Sequence, residues 1–94
     1  MASSREAFSK FEMWKNSRTV LRLTVYDRGA EDHFTGSIYH VDFDEEIVGF
    51  EETATRMALP ALDLRESDFT IEPRKVVASD PRFGEVIFEE RPLA

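Results

Sequence analysis

Carboxylates dominate the chemistry that this chain could carry, and their densest run is Asp42-Phe-Asp-Glu-Glu46. Grouped oxygen donors of this kind are what calcium takes. An EF-hand loop, however, needs ligands at positions one, three and five, Gly at six and Glu at twelve. Counted from Asp42, position six is Ile47 and position twelve is Thr53. The run therefore reads as a solvated acidic turn. The two histidines, His33 and His40, lie seven residues apart. On one extended strand an odd separation sends side chains to opposite faces, so they share no ion unless a bulge intervenes. Both read as surface histidines. Glu51-Glu52 and Glu89-Glu90 are adjacent pairs, which an extended chain also splits between faces. They read as surface charge that blunts strand edges. The chain has no cysteine, so disulfides and thiolate nucleophiles are excluded. No Ser sits in a G-x-S-x-G elbow, and the four glycines make no P-loop or dinucleotide pattern. No catalytic set, metal site or cofactor motif emerges, and the chain reads as a non-enzyme.

The elements that must position these groups follow from hydrophobic period. Residues 3–17 predict a helix. Ser3 and Glu6 have capping-box spacing, and Ala7, Phe8, Phe11 and Trp14 recur on one helical face. The polar face is mixed in charge, which argues for a helix lying on a β core rather than on a membrane surface. Asn16-Ser17 should end it. The period then becomes two. Val20–Tyr26 places Leu21, Leu23 and Val25 on one side, and Asp27–Asp32 reads as a turn. His33–Val41 comes next, with Phe34, Gly36 and Ile38 on one face; a Gly inside a strand marks a bend or a close backbone approach. Ile47–Glu51 is the third strand. Met57–Leu64 is a further strand, with Leu62 and Leu64 inward and Pro60 confining part of it to an edge or bulge. Asp68–Glu72, Lys75–Ala78 and Glu85–Glu90 complete the set, and 91–94 reads as a loose tail. Short strands separated by tight turns indicate a small antiparallel barrel or sandwich.

Composition bounds the partners. Ninety-four residues make one domain. Twelve Lys and Arg against nineteen Asp and Glu leave a formal charge of −7. That balance disfavours phosphate backbones, which bind by displacing counterions with cations, and no DNA partner is expected. No apolar run approaches the ~20 residues that cross a bilayer, and the first residues lack the layout of a secretion signal. A cytoplasmic protein without a membrane partner is expected.

One stretch resembles a known family. Phe34-Thr-Gly36-Ser-Ile38-Tyr-His-Val41-Asp42, after the strand Val20–Tyr26 and before Ile47–Phe50, resembles the first Sm motif of the Sm and LSm proteins. The resemblance covers about residues 5–52. It implies a small, strongly bent antiparallel SH3-like or Sm-like barrel of five strands behind an N-terminal α-helix. It also implies self-association into a ring through the fourth and fifth strands, here around Phe69–Ile71 and Val86–Phe88, with Phe69, Ile71, Val86 and Phe88 as edge residues. In that family a loop after the motif's Asp binds RNA, and its positions fall here on Asp42, Asp44 and Glu46. An Arg-Gly completes the family's site, and the nearest counterpart is Arg82. Asp44 and Glu46 stand where a stacking ring and an Asn would serve, and carboxylates neither stack nor attract phosphate. The expectation is a non-catalytic, self-associating Sm-like scaffold or protein-interaction module. The alternative is an Sm-like RNA binder using Arg74-Lys75 or Arg82.

Overall fold

The computed structural model describes residues 3–81 and 84–91. One helix, α1 (Ser4–Ser17), precedes seven strands: β1 (Leu21–Asp27), β2 (Ala30–Asp42), β3 (Ile47–Glu52), β4 (Leu62–Asp63), β5 (Asp68–Glu72), β6 (Lys75–Asp80) and β7 (Gly84–Glu90). All pair antiparallel in a single sheet of order β4-β3-β2-β1-β7-β6-β5. The fold is mainly β with one N-terminal helix. The seven strands match those read from the hydrophobic period, against the five that the Sm resemblance implies, and among the described residues hydrogen bonding does not close the sheet, because β4 and β5 each have a neighbour on one side only.

The helix starts where the capping residues put it. Ser3 Oγ accepts the backbone N–H of Glu6 at 3.2 Å, one of the donors that a helix start leaves unmatched. The reciprocal half of the box is different, since the Ser3 hydroxyl donates to Glu6 Oε1 at 3.4 Å. At the other end Ser17 Oγ donates to the Met13 carbonyl at 2.9 Å. Arg18, left-handed at φ 53°, turns its N–H back to Lys15 and Trp14.

The buried face of the sheet is assembled by register. Phe34, Leu23, Phe88, Val76 and Ile71 are successive cross-strand partners over five strands, and Val25, Val86, Ala78 and Phe69 form the next row. The expected inward set Phe34, Gly36 and Ile38 holds. On this face lies the aromatic stripe of α1. The Phe11 ring sits 4.6 Å from Phe88 and 6.5 Å from Phe69, and Phe8 lies 6.1 Å from Phe69. Burying each such ring contributes about 1.5–3 kcal/mol, so the stripe anchors the helix. Gly36 has a specific cause: a Cβ there would run into the Glu51 carbonyl of β3, so only Gly lets the two backbones approach.

Boundaries differ from expectation at two places. The first hairpin closes on two residues, Arg28-Gly29, both at positive φ (51° and 88°), the turn geometry that matches strand twist. Residues expected to form a longer turn thereby join β2. The Met57–Leu64 strand contracts to Leu62–Asp63 plus one bridge, Glu51 to Ala58, consistent with Pro60 lacking the N–H a ladder needs. Among the described residues, no helix is long and apolar enough to cross a membrane.

Candidate functional site

The acidic turn links β2 to β3 and is held by its first residue. Asp42 Oδ1 accepts the backbone N–H groups of Asp44 and Glu45, each at 3.0 Å. This is a local side-chain turn, and Asp42 therefore serves its own loop. Phe43 packs its ring 6.0 Å from Phe8 and ties the turn to the helix start. Asp44 and Glu46 line one cleft of about 210 Å³ with Ser4, Arg5, Phe8 and Phe43. Two of the three carboxylates that the Sm resemblance singled out thus share a surface, while the third faces backbone. Arg82 lies outside the described residues. Among those described, no three acidic or histidine side chains gather closely enough to hold a metal ion.

The expected association edges divide. Val86 and Phe88 lie on β7, which is paired to β1 on one side and to β6 on the other. Both side chains are buried, so this half of the expectation is corrected: β7 is an interior strand. Phe69 and Ile71 lie on β5, which ends the sheet. The direction of their backbone groups follows from alternation along antiparallel ladders. The Glu90 N–H donates to the Arg74 carbonyl at 2.9 Å, so the even-numbered residues of β6 turn toward β7. The odd ones then turn toward β5, where Lys75, Val77 and Ser79 face Glu72, Thr70 and Asp68. The N–H and C=O groups of Phe69 and Ile71 point outward, away from the sheet. One position further, the outward carbonyl of Pro73 accepts Lys10 Nζ at 2.7 Å. Ser67, which leads into β5, has a buried Oγ without a hydrogen-bond partner.

A second group, which the sequence patterns missed, locks the helix to this end of the sheet. Trp14 Nε1 donates to Glu90 Oε2 at 2.9 Å, and Arg74 Nε lies 3.6 Å from Glu90 Oε1. Lys10 Nζ sits 5.2 Å from the Trp14 ring centroid, within cation–π range. Glu90 is therefore a structural acceptor and not plain surface charge. The signal available was parity: Glu90 shares the inward face with Phe88, opposite a helix bearing a Trp N–H that needs a partner. Arg74 is engaged by Glu90, and Lys75 stands in register between Glu72 and Glu89. The cleft that they line, about 470 Å³, holds three carboxylates against two cations.

The outer face of the β1–β2 hairpin carries a polar chain. His33 Nδ1 lies 3.2 Å from Thr24 Oγ1 and 3.4 Å from Arg22 Nη2, and His33 Nε2 lies 3.2 Å from Glu31 Oε2. A proton on Nε2 satisfies all three contacts. Glu31 also accepts the Tyr26 hydroxyl. That bond first, then His33, holds the Glu31 carboxyl below its ordinary 4.5, and the same bond raises the Tyr26 phenol above 10.0. His40 stands beyond a bulge between Ile38 and His40. The bulge resets the alternation, and both histidines are exposed. Seven residues of extended chain still hold them roughly 20 Å apart.

No family model matches the chain, and no curated protein or solved structure matches it significantly.

Proposed function

We propose that this chain is a non-catalytic, self-associating domain of Sm-like design, acting as a scaffold or protein-interaction module through strand pairing. The observation that carries the reading is the outer edge of β5, where Phe69 and Ile71 turn their backbone donors and acceptors outward at the end of the sheet. Unpaired groups of this kind are a template for another strand. The order of elements supports the design. A helix precedes a β1–β3 meander, a Gly-bearing, bulged strand precedes the acidic turn, and the last strand returns to β1. The end strands β4 and β5 are joined through residues 64–67, a link that spans at most about 18 Å of extended chain. So short a link supports a sheet bent toward closure with one open seam.

Charge decides the mode of pairing. A two-fold contact that uses both outward residues pairs Phe69 with Ile71 of the second copy and sets Asp68 opposite Glu72. Like charges directly opposite are destabilising. Pairing of β5 with a different segment of the next copy avoids this; the Val86–Phe88 strand that the Sm resemblance implies is interior, which leaves β4, the other end strand of the sheet, as the partner. Such a head-to-tail contact closes into a ring when its rotation allows. The experiment is a pair of variants at one position. Ile71→Pro removes an outward N–H without touching the β6 ladder, whereas Ile71→Ala removes side chain only. Ile71→Pro should dissociate the particle on size exclusion with near-UV circular dichroism retained, and Ile71→Ala should remain associated. Equal behaviour of the two variants would contradict the reading.

A further inference from the structure

A cleft of about 420 Å³ opens between the C-terminal end of α1 and the β2–β3 pair, lined by Lys15, Arg18, Ser37, Ile38, Tyr39 and Glu51. It is separate from the β5 edge and independent of the proposed self-association. Its volume falls in the roughly 300–1,000 Å³ range of small-molecule sites. Three features give it a chemistry. Tyr39 is the extra residue of the β2 bulge, where Ile38 pairs with Phe50 and His40 with Gly49. Bulges re-aim side chains, and this one lays the Tyr39 ring on Gly49, where a Cβ would stand 2.8 Å from the ring. One part of the ring is thus supported by backbone, yet the residue remains 51% exposed. An aromatic surface held in this way is a stacking platform.

The second feature is cationic. Arg18 forms no ion pair among the described residues, although the chain carries nineteen carboxylates to twelve cations. It occupies the left-handed cap, a position that Gly fills at least strain. Lys15 lies one helical turn back and, among the described residues, pairs only with the half-buried Glu12 at 3.5 Å, a contact near the surface that contributes little. The third feature is opposite charge on the β2–β3 side. Ser37 and Glu51 are cross-strand partners that bring a hydroxyl and a carboxylate to the same cleft. A polyanion would meet Glu51 repulsively. A ligand with one anionic group, one flat ring and hydroxyl or amino donors would use every wall.

We infer that this cleft binds a nucleoside monophosphate, with its phosphate on Arg18 and Lys15, its base on Tyr39, and its ribose hydroxyls or exocyclic amine donating to Glu51. The test is titration calorimetry of the full chain with adenosine 5′-monophosphate, adenosine, inorganic phosphate and a ten-nucleotide RNA. Adenosine 5′-monophosphate should bind at least about tenfold more tightly than adenosine or phosphate alone, since hydrogen bonds to charged groups are stronger than those between neutral ones. Arg18→Gly is the decisive variant, because Gly suits the left-handed cap. It should keep or raise the melting temperature while weakening the nucleotide about tenfold. Tyr39→Ala should weaken it by a similar factor, on the scale of base–aromatic stacking, and Tyr39→Phe should not. No binding at millimolar nucleotide, or unchanged affinity in Arg18→Gly, overturns the inference. RNA binding tighter than the mononucleotide and lost in high salt would also overturn it, in favour of a polyanion surface.

Discussion

Removing the carboxylate that α1 leans on should separate the energetics of the helix latch from surface charge. In Glu90→Ala the indole N–H of Trp14, 1% exposed, loses the acceptor that stands 2.9 Å away. A buried donor left unmatched costs about 1–3 kcal/mol. The same substitution removes the Arg74 pair, whose cation is 63% and whose carboxylate is 25% exposed, and a pair of that kind is worth at most about 1 kcal/mol. The desolvated indole therefore dominates. Glu90→Ala should destabilise the domain by about 2 kcal/mol, near the middle of the range for a lost buried acceptor. At this chain length that corresponds to a fall in Tm of roughly 10 °C. Glu90→Gln keeps an acceptor for the indole and should cost less than about 1 kcal/mol, and Arg74→Ala less still. The assay is urea unfolding of the three variants at one protein concentration, since association adds to apparent stability. A Glu90→Ala midpoint close to that of the parent, or an Arg74→Ala cost equal to that of Glu90→Ala, would refute the assignment.

Other consequences are equally concrete. Gly36→Ala drives a Cβ into the Glu51 carbonyl, and because backbone yields less readily than a side chain, the cost should reach about 3 kcal/mol, the upper end for overpacking; a urea midpoint near that of the parent would dispose of the close approach as the cause. On the outer face, carboxyl NMR should place the Glu31 midpoint below 4.5, and Tyr26→Phe should raise it by deleting the leading cause of the depression. The sign follows from linkage. The depressed Glu31 contributes fully above its unfolded value and loses the contribution as pH falls through the folded one. Tyr26, raised above 10.0, contributes below that value and loses the contribution as pH rises through its folded one. Glu72→Lys sets Lys opposite Asp68 in the two-fold register and should permit a strand-paired dimer, visible as a new species in native mass spectrometry.

Much of the fold is legible in the sequence because local signals agree with one another. The Ala7, Phe8, Phe11 and Trp14 stripe, the Ser3 cap and the alternation of Leu21, Leu23 and Val25 each fall on their expected faces. Gly36 announces a close approach, and its partner is Glu51. What escapes depends on contacts distant in sequence. The placement of β7 between β1 and β6 is decided by which strands meet, and no period within Glu85–Glu90 encodes it; hence Val86 and Phe88, expected at an edge, are interior. Glu90 reads as surface charge in the sequence because its partner lies 76 residues away. The Tyr39 bulge shifts parity in mid-strand, which a count of alternating residues has no means to register. The acidic turn is legible as a turn, while the commitment of Asp42 to backbone N–H groups emerges only from its conformation.

In the proposed assembly the β5 edge pairs with another copy of the chain, head to tail. The most direct test is the mass of the native particle by light scattering, across a hundredfold range of protein concentration. Head-to-tail pairing predicts a closed ring, such as a hexamer or heptamer, that persists on dilution and falls to single chains in Ile71→Pro. A monomer at every concentration would contradict it.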